Sequence, residues 1–334
     1  MTRYNVLDKF TAEVNILANP YNFELPQLLD IAMRINKKRS FLFVSKVLGK
    51  HLAVQPQIPL ITGQLLAYRY LEMRENEYQK LTPQLVKAIK NHSYAQEVLQ
   101  LVRENPISSK KTLRIIGFAE TATALGHAFF EAFEGDVRYI HTTRECLVNI
   151  SPTLTFEEEH SHASIHRLYT DATFFNDANE LVLVDDEMTT GNTNRNIIRQ
   201  LHAQFPNVKV YTLVSILDWR SETSQQQMAA LAQELNVEIH SVSLIQGEFS
   251  IEMHGELPVS EEIAFLHEDT EFQQHSIHTL IRSDFIMHPS FSEEAGIEEA
   301  PFYKGSGRFS LTVEQHKAYY GRLQGIIDDI QGLR

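Results

Sequence analysis

An α/β fold, a parallel sheet with flanking helices, is the architecture this sequence predicts, and three observations carry the prediction. Apolar runs at Leu113–Phe118, Val137–Ile140, Leu181–Val184, Val208–Val214 and Val237–Val242 recur from Thr112 onward. Helical segments separate them, at about Ala122–Phe133, Thr193–Phe205 and Thr223–Leu235. Strand, helix, strand in repetition requires a parallel sheet covered on both faces. Acids and small-residue turns follow two of the runs, and such sheets bind ligands beyond the carboxyl ends of their strands.

The N-terminal third reads as mainly helical. Leu25 to Lys37 has apolar residues at helical spacing and ends in the basic cluster Lys37, Lys38 and Arg39. A β-rich run follows at Phe41–Ser45, then helices at about Leu60–Glu75 and Pro83–Arg103, the second with Pro at its start. The interval Thr142–Phe175 lacks clean periodicity. A connection that long in a compact domain suggests a lid, here a flap with the character of a β-hairpin. After about Gly247 the βα rhythm stops, and acidic patches, the turn Gly305–Gly307 and a last helix near Val313–Ile330 suggest a smaller C-terminal module.

Bulk properties bound the function. The 334 residues fit roughly two domains of about 150 residues. A net charge of −13 opposes nucleic acid, whose binding depends on neutralising phosphates with Lys and Arg. Any phosphate site must therefore use backbone N–H groups, a few local cations and a metal. No apolar stretch reaches the length of a bilayer span, and Met1–Phe10 lacks a signal-peptide core. One cysteine, Cys146, cannot form an internal disulfide, which fits a reducing cytoplasm.

The segment carrying chemistry is Leu181-Val-Leu-Val-Asp-Asp-Glu-Met-Thr-Thr-Gly-Asn-Thr193. A buried strand delivers Asp185 and Asp186 to the sheet edge, where adjacent carboxylates accept hydrogen bonds from two vicinal ribose hydroxyls. Thr189, Thr190, Gly191, Asn192 and Thr193 then enter a helix, whose free N–H groups and dipole favour a phosphate. Diol acceptors one step before a phosphate cradle are the layout of a ribose 5-phosphate. Solvated acids ahead of a capped helix would explain the acids alone, but not the threonine-rich turn with them.

Three further clusters stand out. Leu113-Arg-Ile-Ile-Gly-Phe-Ala-Glu-Thr-Ala-Thr-Ala-Leu-Gly126 is again strand, small-residue turn and helix. Thr142-Thr-Arg-Glu145 follows the second core strand. The flap carries Glu157-Glu-Glu-His-Ser-His162 and His166, which invites a metal reading beside the plainer one of a polar lid.

The 13-residue motif resembles the PRPP-binding motif of type I phosphoribosyltransferases, PRPP being 5-phosphoribosyl-1-pyrophosphate. The resemblance implies that the loop Glu120, Thr121, Ala122 and Thr123 binds pyrophosphate through its backbone. Glu120 would repel that group unless Mg²⁺ intervenes. It implies that Arg144 faces pyrophosphate, and that His160, His162 and Arg167 reach it from the lid. Mg²⁺ would come mainly with the substrate, with Asp185 and Asp186 as its protein-side candidates. PRPP and a nitrogenous base-like small molecule would be the partners, in a homodimer. More narrowly, Arg39–His51, the Glu120 loop, the Asp185 motif, Ile281–Asp284 and Gly305–Arg308 resemble bacterial phosphoribosyltransferase-like proteins of tellurium-resistance and stress gene clusters. Those carry a C-terminal module named for a Thr-Arg-Ser-Pro motif, where this chain reads Ile-Arg-Ser-Asp. The implied organisation is a transferase domain at 1–246, with its core at about 110–246 and a hood-like N-terminal region, and the module at 247–334. The implied product is a nucleotide-like metabolite. The competing expectations are a non-catalytic PRPP or nucleotide regulator, and a hydrolase using the flap histidines with a metal.

Overall fold

The computed structural model describes residues 2–33, 40–147, 150–157, 165–254, 290–291, 299–300 and 304–331. Among these, eight strands form the main sheet: β1 (Thr2–Val6), β2 (Phe10–Ala18), β3 (Leu113–Gly117), β4 (Val137–His141), β5 (Glu180–Met188), β6 (Val210–Asp218), β7 (Glu238–Met253) and β8 (Leu311–Thr312). Their order is β1-β2-β7-β6-β5-β3-β4-β8. The five central strands β4, β3, β5, β6 and β7 run parallel, while β1, β2 and β8 pair antiparallel at the edges. From β3 the chain goes outward to β4, then crosses to β5 on the other side of β3. The strand order therefore reverses between β3 and β5.

The central strands are apolar on both faces because helices cover both. Leu113 and Ile115 of β3, with Val182 and Val184 of β5, join one core under α1 (Gln57–Arg74), α2 (Thr82–Lys90), α3 (Ala95–Arg103) and α4 (Thr121–Glu131). Ile116, Leu181 and Leu183 face a second core under α5 (Asn192–Gln204) and α6 (Glu222–Leu235). Side chains alternate faces along a strand, so one apolar run feeds two cores.

The predicted α/β class holds, with strand and helix positions shifted by a few residues. The N-terminal region differs from expectation. It begins with the hairpin β1–β2, whose buried Phe10, Ala12 and Val14 follow a period of two. The helix expected over Leu25–Lys37 is a single turn, Leu25–Leu28, followed by a strand, Leu29–Met33, paired antiparallel with Phe41–Ser45. Short apolar runs fit either period, and here the partner strand decided. Phe41 and Phe43 then pack edge-on against Phe249, with centroids 5.2 and 5.1 Å away. The helix expected over Pro83–Arg103 is divided into α2 and α3 at Asn91, whose backbone leaves the helical region and whose side chain accepts from Ser93 N at 3.2 Å.

Strand β7 continues through Gly247 to Met253, pairing with β2. In the C-terminal region, β8 adds to the outer edge of β4 and leads into α7 (Val313–Gln331). Arg103 of α3 donates to the Tyr320 hydroxyl at 2.9 Å, and His127 of α4 meets His316 at 3.2 Å. Among the described residues no helix is long and apolar enough to cross a membrane.

Candidate active site

Asp185 and Asp186 extend β5 beyond its last pairing with β3, which ends at Val184 and Gly117. Both are half-buried, and Asp186 N donates to Asp185 Oδ1 at 2.9 Å. Among the described residues no cationic side chain pairs with either acid. Burial, and next the charge of Asp186, pushes the Asp185 carboxyl well above the usual carboxylate range. Two adjacent carboxylates at a strand end suit hydroxyl donors or a divalent cation.

The turn that follows is set by Gly191, at φ +72°, the N-cap of α5. This left-handed conformation favours glycine, and a Cβ there would also lie 3.0 Å from Arg220 Cδ. Asn192 N donates to Thr190 Oγ1 at 3.3 Å, and Arg195 Nη2 donates to Asn192 Oδ1. An α-helix leaves its first N–H groups without intrahelical partners, so the start of α5 presents donors. Thr189, Thr190, Gly191, Asn192 and Thr193 are all at this junction.

The second loop joins β3 to α4, beside the first across the strand-order reversal. Its Ala119–Glu120 peptide bond is cis. Glu120 is the N-cap position of α4, Thr121 begins the helix, and Ala122 is buried beneath it. Thr123 Oγ1 donates to Glu120 O at 2.8 Å, and Tyr139 hydroxyl donates to Thr123 O at 2.6 Å. Glu120 is exposed and lies 3.8 Å from Arg144 Nη1, so the acid is balanced by the arginine named beside it.

Thr142 ties three segments together. Its N–H donates to Gly117 O at 2.9 Å, while its hydroxyl accepts from Ala119 N at 2.7 Å and meets His166 Nδ1 at 3.0 Å. His166 is buried and stacks on Phe156. The flap is the expected hairpin, Leu154–Glu157 against Ile165–Leu168. Arg167 bridges to Thr143 through backbone bonds of 2.8 and 2.9 Å, and its Nη1 donates to Arg144 O at 2.5 Å. His160 and His162 lie outside the described residues. Among the described residues no group of His, Cys, Asp and Glu is arranged to hold a metal.

Residues with no assigned role also meet here. Lys50 Nζ donates to Thr121 Oγ1, which sets the end of the segment before His51 against the Glu120 loop. Arg195 braces the Asp185 turn, and Arg220, ion-paired to buried Asp218 at 2.6 Å, lies behind Gly191. Arg308 pairs with Glu145, next to Arg144. Arg195 sits one helical turn past Gly191, a spacing that could have flagged it. Lys50 and Arg308 lie in the segments Arg39–His51 and Gly305–Arg308, which the resemblance marks without giving either residue a partner.

A family model described as phosphoribosyl transferase matches residues 28–248, about two thirds of the chain. No curated protein matches the chain. Among solved structures, adenine phosphoribosyltransferase from Trypanosoma brucei, in complex with AMP, pyrophosphate and ribose-5-phosphate, is 18% identical with a TM-score of 0.30, covering 45% of this chain and 66% of that one. The Saccharomyces cerevisiae adenine phosphoribosyltransferase is 14% identical with a TM-score of 0.32, covering 66% and 97%. A phosphoribosyltransferase from Corynebacterium diphtheriae is 12% identical with a TM-score of 0.24, covering 55% and 94%. At such low overlap, the family match is the informative finding.

Proposed function

This chain belongs to the phosphoribosyl transferase family, and from that premise we propose that it moves a phosphoribosyl group between PRPP and a nitrogenous acceptor, releasing pyrophosphate. Two carboxylates that meet no cationic side chain among the described residues, one step before a left-handed turn into a helix, carry the reading. Asp185 and Asp186 hold the two ribose hydroxyls and stabilise the positive charge that grows on the sugar as the bond from C1 to pyrophosphate breaks. The amides from Thr189 to Thr193 grip the 5-phosphate, so remote binding energy positions C1 for the acceptor nitrogen. Glu120, Thr121, Ala122, Thr123 and Arg144 receive the pyrophosphate, and the flap with Arg167, His160 and His162 closes on it. The carboxylate pair and the half-buried strand end suit Mg²⁺, which would arrive with PRPP and offset its negative charge.

Within the same reading, the chain is a cytoplasmic homodimer. A transferase domain at 1–246 carries a smaller C-terminal module at 247–334, which leans on it through β8 and α7. Membership in the tellurium-resistance and stress clusters, and a nucleotide-like product, rest on the sequence resemblance alone. Ile281–Asp284, the counterpart of the motif that names the module, lies outside the described residues.

The test is pyrophosphate release from PRPP and Mg²⁺ across a panel of nitrogenous bases, beside calorimetry with PRPP. Turnover with one base supports transfer. Absence of PRPP binding sinks the reading. The second reading, a PRPP-binding regulator, is favoured by Glu120, whose carboxylate occupies Arg144 within the pyrophosphate loop. Tight PRPP binding without turnover on any base would support it.

A further inference from the structure

The C-terminal segment at Gly307–Phe309 touches the loop that carries Arg144 at every turn. Gly307, at φ +82°, lies so close to the Tyr139 ring that a Cβ would meet it at 2.5 Å, and its carbonyl accepts from His141 N at 3.2 Å. Arg308 forms an ion pair with Glu145. Phe309 packs on Tyr169, with centroids 6.2 Å apart, and the Tyr169 hydroxyl donates to Glu145 O and accepts from Leu147 N, both at 3.0 Å. Two residues later β8 joins the edge of β4. The chain from 307 to 312 thus clamps both the strand that leads into Thr142–Glu145 and the loop itself.

Charge gives the clamp a purpose. Arg144 and Glu145 are neighbours of opposite sign, and Glu120 adds a second acid within 3.8 Å of Arg144. An uncovered Glu145 carboxylate, added to Glu120, would weaken the hold of Arg144, Arg167 and Lys50 on a polyanion. The Arg308 guanidinium is 17% exposed and Glu145 39%, so the pair is partly shielded from water and its charges are felt.

We infer that Arg308 is a positioning residue of the pyrophosphate subsite: it neutralises Glu145 and holds the loop so that Arg144 faces the leaving group. The inference rests on the phosphoribosyl transfer reading above. It joins the C-terminal region to the chemistry of the transferase core.

Calorimetry on the full chain with Mg²⁺-pyrophosphate, and separately with ribose 5-phosphate, tests it in wild type, R308Q, E145Q and the double variant. A lost charge-assisted contact predicts that R308Q weakens pyrophosphate about tenfold. Ribose 5-phosphate should bind as before. The double variant should recover much of the pyrophosphate affinity, because the loss comes from the uncovered Glu145 charge. A folding defect would instead weaken both ligands and resist that rescue. Pyrophosphate binding by R308Q at wild-type strength, equal loss of both ligands, or no recovery in the double variant each overturns the inference. Wild-type protein that binds neither ligand overturns the transfer reading beneath it.

Discussion

The two loop corners of the candidate site are built in opposite ways. The corner after β5 is local: Asp185 through Thr193 run from a strand into a helix, and Gly191 alone sets the turn. The corner after β3 and β4 is assembled from a distance. Lys50 arrives from 71 residues before Thr121, and Arg308 from 163 residues after Glu145. His166 and Arg167 come from the flap. The first corner is therefore a property of one segment, the second a property of the folded chain. Changes in the first should alter ligand binding while sparing the fold, and changes in the second should couple the two.

The largest expected effect is in the local corner. Asp186→Asn should keep the far-ultraviolet circular dichroism of the wild type and lower turnover by about 10²–10³, the loss usual for one preorganised electrostatic contact. Wild-type turnover in that variant would remove the basis for the contrast. Next comes a pair of glycines, both at positive φ. A Cβ at Gly307 would sit 2.5 Å from the Tyr139 ring, so Gly307→Ala should lose about 1–3 kcal/mol in denaturant unfolding. At Gly191 the near atom is the flexible Arg220 chain at 3.0 Å, so Gly191→Ala should lose about 1 kcal/mol, from backbone strain. Its main effect should be on affinity for ribose 5-phosphate. Equal stability losses at both glycines would blur the distinction.

Acid should act on the assembled side. Burial lowers His127 to about 3 and His141 to about 4, while His316, which meets His127, is also lowered by burial. Unfolded histidine titrates near about 6.5. Between that value and the folded ones the unfolded chain binds more protons, so stability is full above about 6.5 and falls as pH drops toward 3. Around these rings, Glu145 and Glu131 favour protonation, and Arg308, Arg103 and Lys317 oppose it. Thermal unfolding at stepped pH should show the midpoint falling below about pH 6.5, with less of the slope in His127→Gln. An unchanged slope would dissociate the histidines from the acid response. The smallest effect should come from Lys50→Ala, an exposed contact. Exposed pairs are worth about 0.2–1 kcal/mol, so the KM for PRPP should rise by less than about fivefold in steady-state assays.

Periodicity and composition found most of the parallel core. Leu113–Phe118 and Leu181–Val184 read as strands covered on both sides because turn signals and helical segments bound them, and the turn after Asp186 declares itself by residue type. Leu29–Met33 is a strand where helical spacing predicts a helix, because five residues fit either period until a partner strand pairs with them. Phe10, Ala12 and Val14 alternate with a period of two, a strand signature carried by the sequence itself. Glu120 looked wrong for a pyrophosphate loop, since its counter-charge, Arg144, belongs to a different strand end.

By itself the sequence determined a parallel α/β core and a Thr/Gly-rich turn into a helix at Gly191, because each depends on side chains within one turn or one strand of each other. Which cations surround the second corner was decided only by the tertiary structure. Lys50 and Arg308 reach Thr121 and Glu145 through strand order and edge pairing, and no local pattern records such long-range closure of the chain.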